Sequence, residues 1–376
     1  MLQGKSSRKL KLLILLCLAV YTVALVNLFK SDQHYNRKIN DRQEELVYSG
    51  DDDEFNYTDD YRKALEFVTP NVVNTWRARS YLVALGIPSP DNEERRQRRE
   101  LQRATCWKFP EVATVRNNFS GKMLVAYVLA KHPQYDYEYS VQLMEEARSW
   151  RDVITLPIHE GRVTTKKKVG QVAHWGIEAE IGMSRKVFLW FELAVRLLPR
   201  TSYFSKGDDD AFFHVPQYIV DLDTLPRRAV YWAFHWRIGR ERKYIFGRGL
   251  LYTMARDVVE KFISFAPVRR LINMSFSYEL KPEFIAAVMD YEDAMVGNAL
   301  SHQHPEELLF VNESCCRFII LNGNECKPPQ HDDFVVIHGI EENEYGTLMN
   351  RLNKKKKHTP VKFVPSKFGT MAKCPH

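Results

Sequence analysis

Apolar and polar positions alternate along this chain in a way that predicts a layered α/β domain. Lys122 to Ala130 is a continuous apolar run of the kind that forms a buried parallel strand, and it reads as the first strand of the sheet. A helix is expected over Gln142 to Trp150 and a second strand over Asp152 to Leu156. One long or broken helix follows over Gly176 to Leu198, where Val187, Trp190, Phe191, Ala194, Val195 and Leu198 fall on one helical face. A third strand from Ser202 runs into three acids. This order of strand, helix, strand, helix, strand describes a βαβ layering. Strands are also expected over Val230–Trp236, Tyr244–Thr253 and Phe334–His338, with helices over Arg256–Phe265 and after Tyr291.

The first hundred residues differ in character. Leu12 to Phe29 is uncharged, apolar and just long enough to cross a bilayer, and Lys5, Arg8, Lys9 and Lys11 precede it. That pattern predicts an uncleaved signal-anchor over 12–29 with residues 1–11 cytosolic. A stem over 30–105 is expected to follow, because residues 30 to about 60 are polar and end acidic. Asp91 to Arg103 carries charge on nearly every helical face and reads as a solvated helix of that stem. The folded domain is then expected over 106–376.

Composition narrows the surroundings. The chain has 376 residues, 45% of them hydrophobic, which is enough for one substantial core. Its net charge of +7 suits phosphate-bearing small molecules or an anionic membrane surface, and nucleic acid makes no sense on a lumenal domain. Sequons at Asn56, Asn118, Asn273 and Asn312 agree with a lumenal side. Beyond the apolar span lie Cys106, Cys315, Cys316, Cys326 and Cys374, an odd number that leaves one thiol unpaired or intermolecular in an oxidising compartment.

The candidate chemistry centres on Asp208, Asp209 and Asp210. Three adjacent carboxylates between apolar segments repel one another, and a divalent cation is the simplest remedy. Hard oxygen ligands favour Mg²⁺ or Mn²⁺. A solvated turn is the plain alternative. Gly247 and Gly249 flank Arg248 where the backbone either turns or approaches something closely. Glu292 and Asp293 open a helical run, so they either cap its dipole or supply Asp293 as a general base. His338 ends a buried strand and is either structural or a metal ligand.

Taken in order, Tyr203-Phe-Ser-Lys-Gly-Asp-Asp-Asp210-Ala-Phe-Phe213, the Gly-x-Gly at 247–249, Glu292-Asp-Ala-Met-Val-Gly297 and the late Val-Ile-His338 resemble the β1,3-glycosyltransferase superfamily, most of all its kinetoplastid UDP-galactose or UDP-N-acetylglucosamine dependent branch. The resemblance spans roughly residues 120 to 340. It implies a GT-A-like fold, a Rossmann-type nucleotide-binding sheet joined to an acceptor-binding half, with Mn²⁺ held on the diphosphate of a UDP-sugar by Asp208, Asp210 and His338. Asp208, Asp209, Lys186 and Gly249 would serve the donor, and Asp293 would be the base of an inverting transfer to a glycan hydroxyl. It further implies a single-pass Golgi protein with its catalytic domain in the lumen, acting on a glycoprotein or glycolipid acceptor. The family's early arginine segment ending in tryptophan is not found after residue 130, where Arg148 and Trp150 are only a loose substitute. Two other classes fit the same acids: a lumenal metal-dependent phosphohydrolase, and a non-catalytic carbohydrate-binding membrane protein.

Overall fold

The computed structural model describes residues 59–168, 174–237, 244–321, 325–354, 357–367 and 369–374. After two short helices, α1 (Asp59–Ala64) and α2 (Pro70–Ala78), the chain enters the sheet with β1 (Val83–Pro88). Helix α3 (Glu93–Ala104), edge strand β2 (Val112–Ala113), β3 (Met123–Lys131), α4 (Val141–Trp150), β4 (Val153–His159) and the long α5 (Ile177–Leu197) follow. Next come β5 (Tyr203–Gly207), β6 (Ala211–Phe213), α6 (Val215–Leu222), β7 (Val230–Arg237) and β8 (Ile245–Ala255). Helices α7 (Arg256–Ser264), α8 (Ala266–Leu271), α9 (Lys281–Ala286) and α10 (Glu292–Ser301) precede β9 (Leu309–Asn312), β10 (Phe318–Ile320) and β11 (Val336–His338). Helix α11 (Glu344–Leu352) and the hairpin β12 (Phe363–Ser366) and β13 (Gly369–Ala372) complete the chain.

Ten strands form the main sheet in the order β12-β13-β9-β7-β8-β5-β1-β3-β2, with β4 also paired to β3. The β5, β1, β3 and β4 neighbours are parallel, whereas β8 runs antiparallel to both β5 and β7. The fold is therefore α/β with a mixed sheet, which corrects the expected Rossmann-type architecture. Apolar runs cannot reveal this, because a strand buried on both faces reads the same in either direction.

The amino-terminal expectation falls largely outside the described residues. No helix among the described residues is long and apolar enough to cross a membrane, and the run 12–29 lies outside them. The stem boundary also moves. β1, assigned to the stem by sequence, is fully buried between β3 and β5 in the middle of the sheet. Its helix α3 carries charge on most faces and still packs inward, with Arg99, Gln102 and Arg103 buried. Ion pairs explain the difference: Arg99 and Arg103 both bind Glu146, and Arg103 also binds Asp152. Buried arginines persist where carboxylates meet them.

Close approach of α5 to the sheet depends on one glycine. A Cβ at Gly86 of β1 would lie 2.2 Å from the Trp190 indole, which itself donates a hydrogen bond to the Ser205 carbonyl. The cysteines pair as Cys315–Cys326 and Cys316–Cys374, and Cys106 is a buried free thiol.

Candidate metal centre and carboxylate cluster

Asp208, Asp209 and Asp210 form the turn between β5 and β6, at the carboxyl end of β5, where open α/β sheets bind ligands. A second, three-stranded sheet brings the histidine to them. Antiparallel pairing of β11 with β6 sets His338 opposite Ala211, the residue after Asp210. His338 Nε2 thus lies 3.2 Å from Asp210 Oδ1 and 3.6 Å from Asp208 Oδ2. One ligand atom from each of Asp208, Asp210 and His338 falls within 4.8 Å of the others, a group that could hold a metal ion.

The electrostatics agree with a cation position. Burial opposes ionisation of Asp210, but His338, Arg95 and Arg98 outweigh it and hold the carboxyl well below its usual range. His338 shows the counterpart: burial disfavours its charge, yet Asp210 and Asp208 raise its pKa. Two carboxylates and one imidazole are a donor set that suits a divalent ion of intermediate hardness.

A lysine joins this group to a second pair of acids. Lys206 lies two residues before Asp208 on β5, and its buried Nζ donates to Asp208 Oδ1 at 2.7 Å, Glu292 Oε1 at 2.6 Å and the Gly249 carbonyl at 2.8 Å. Glu292 also accepts from the Tyr252 hydroxyl at 3.0 Å. Asp293, in the first turn of α10, accepts from the Gly249 N–H at 3.2 Å and the Ala294 N–H at 2.8 Å. Helix α10 can lie this close to β8 because residue 297 is glycine: a Cβ there would sit 2.4 Å from Phe246 Cβ. Burial pushes the Glu292 carboxyl up to about 7; Lys206 opposes that rise and Asp293 adds to it. The Asp293 carboxyl is raised by burial too, with Lys206 pulling it down and Asp208 adding to the rise.

The remaining expected site residues fall elsewhere. Asp209, expected on the donor, turns away from the metal group, accepting from the Ser89 hydroxyl at 2.7 Å and pairing with Arg95. It clasps the acidic turn to the end of β1 and the start of α3. Lys186, buried in α5, pairs with Glu160 at 2.7 Å beyond the end of β4, not with the acidic turn. Gly249 is placed against the acids, where a Cβ would lie 3.0 Å from Glu292 Oε1. Sequence reasoning missed Lys206, Glu292 as a partner of the cluster, Tyr252, Ser89 and Arg95. Lys206 had a signal: a lone cation in a buried strand, on the same face as a carboxylate two residues on. Arg95 and Ser89 were hidden by the assignment of their segment to a stem.

Comparison with models of known protein families and with curated proteins finds no match for this chain.

Proposed function

We propose that the protein is an inverting glycosyltransferase that moves galactose or N-acetylglucosamine from a UDP-sugar to a hydroxyl of a glycan. One observation carries the reading: a half-buried carboxylate with a raised pKa, Asp293, held by the Gly249 amide, lies in the field of Lys206, which bonds both the Gly249 carbonyl and Asp208 of the Asp208–Asp210–His338 group. A nucleotide diphosphate needs a cation site, and a hydroxyl nucleophile needs a base beside it. This cluster offers both.

Asp208, Asp210 and His338 would hold Mn²⁺, which supplies Lewis-acid stabilisation of negative charge on the diphosphate. The protein's own groups divide the rest. Asp293 takes the proton of the acceptor hydroxyl as that oxygen bonds to the anomeric carbon, while the bond from that carbon to the diphosphate oxygen breaks and UDP leaves. A single displacement of this kind inverts configuration. The Gly249 and Ala294 amides fix the orientation of Asp293, and Lys206 keeps Asp208 and Glu292 from repelling it. Two disulfides support an oxidising compartment such as the secretory lumen.

The test is to incubate the full-length protein with Mn²⁺ and a panel of nucleotide sugars, measuring UDP release with and without sugar acceptors. Release that rises with acceptor and vanishes in EDTA is the expected result. Acceptor-independent release of phosphate would favour a phosphohydrolase, and no turnover of any donor would remove the transferase reading.

A further inference from the structure

A cavity of about 150 Å³ opens at the carboxyl end of β4, separated from the strand that carries the acidic turn by β3 and β1, three strand spacings or roughly 14 Å. Arg185 of α5 lines it and is only 4% exposed. Its Nε donates to the Ile272 carbonyl at 2.8 Å. No carboxylate pairs with its guanidinium among the described residues. A buried cation without a counter-charge is costly, and arginines elsewhere in this molecule obey the rule: Arg99, Arg103 and Arg317 are buried and each meets an acid. Burial draws the Arg185 pKa down to about 10, which still leaves it charged at neutral pH.

The acids that share the cavity are already engaged. Glu160 is neutralised by Lys186, and Glu178 lies in the field of Arg162, which also bonds Tyr137 at the rim. Counting Arg185, Lys186 and Arg162 against Glu160 and Glu178 leaves one positive charge in excess. Ser275 adds a hydroxyl to the lining, and the stacked Tyr137 and His159 rings, 4.3 Å apart, form one wall. A void of this size admits a benzene-sized group, so a tetrahedral oxyanion fits with a water or two.

We propose that this cavity is a binding site for a small oxyanion, phosphate or sulfate, free or as the ester of a larger molecule, with the Arg185 guanidinium as its principal donor. Forked N–H groups match such anions in two-point contact. The site is independent of the transferase reading and of the metal group.

The experiment is thermal unfolding of the full-length protein in EDTA, comparing chloride with inorganic phosphate and with a phosphate monoester at matched ionic strength. Linkage predicts a saturable rise in Tm of several degrees with phosphate. In Arg185→Met, which removes the uncompensated charge at similar volume, the rise is expected to disappear while stability in chloride is kept or improved. A larger response to the monoester assigns an esterified ligand, and an equal or smaller one a free anion. Identical Tm in chloride and phosphate, or an Arg185→Met protein that still responds, overturns the proposal. Should that variant not fold, wild-type crystals grown in sulfate decide: an anion in hydrogen-bonding reach of Arg185 supports the site, and water alone refutes it.

Discussion

Replacing Lys206 with methionine isolates the charge that holds the cluster together. In the wild type its ammonium meets two carboxylates, Asp208 at 2.7 Å and Glu292 at 2.6 Å, and is itself only 3% exposed. Removing one partner of a buried ionic pair costs about 3–5 kcal/mol, because the remaining charges stay buried without compensation. Part of this cost is avoidable by protonation. Glu292 already titrates at about 7, against an ordinary 4.5, even with Lys206 beside it. At 1.36 kcal/mol per pH unit, keeping it ionised costs about 3 kcal/mol. The sign is set by a raised folded-state pKa: the stability is fully present below pH 4.5 and is lost as pH rises through 7. Without Lys206 the Glu292 pKa rises further. Lys206→Met should therefore be destabilised by several kcal/mol in urea unfolding at pH 8 and by distinctly less at pH 5.5. Adding Glu292→Gln should recover a large part of the pH 8 loss, a coupling measurable by a double-mutant cycle. A Lys206→Met protein within about 1 kcal/mol of wild type at pH 8, with no coupling to residue 292, would refute the account of this cluster.

Four further outcomes are expected. Asp293→Asn should lower kcat about 10²- to 10⁴-fold while donor affinity changes little, measured by steady-state kinetics and UDP-sugar titration. The acid limb of the wild-type pH–rate profile should lie above the ordinary carboxylate range, since Asp293 must lose a proton whose pKa is raised; a limb near pH 4 would contradict that. Asp210→Asn, unlike the base variant, should weaken divalent-metal and donor binding together, read by calorimetry with Mn²⁺ alone and then with UDP. Removal of the Cys316–Cys374 bridge by double serine substitution should lower stability by about 4 kcal/mol, given a sequence separation of 58 residues, and unchanged denaturant stability would argue against the bridge.

Much of this molecule was legible in its residues. The apolar run at 123–131, the long helix over 177–197 and the strand leading into the acidic turn are where hydrophobic spacing put them, because burial of one helical face or a whole strand leaves a local signature. The convergence of Asp208, Asp210 and His338 was expected only from the family resemblance, because the residues alone left the acidic run as a metal site or a solvated turn and His338 as a ligand or a structural residue. Polarity misled at α3. Its arginines read as solvent-facing because the acids that meet them, Glu146 and Asp152, lie more than forty residues away in sequence. Local composition therefore determined which segments become helix or strand and which residues carry charge into the centre. Strand direction, the antiparallel step at β8, the turning of Asp209 onto Ser89 and Arg95, and the unpaired guanidinium of Arg185 were decided only by tertiary packing. Each depends on which distant group lies within a few ångströms, and in a low-dielectric interior that neighbour determines whether a charge is held, moved or left without a partner.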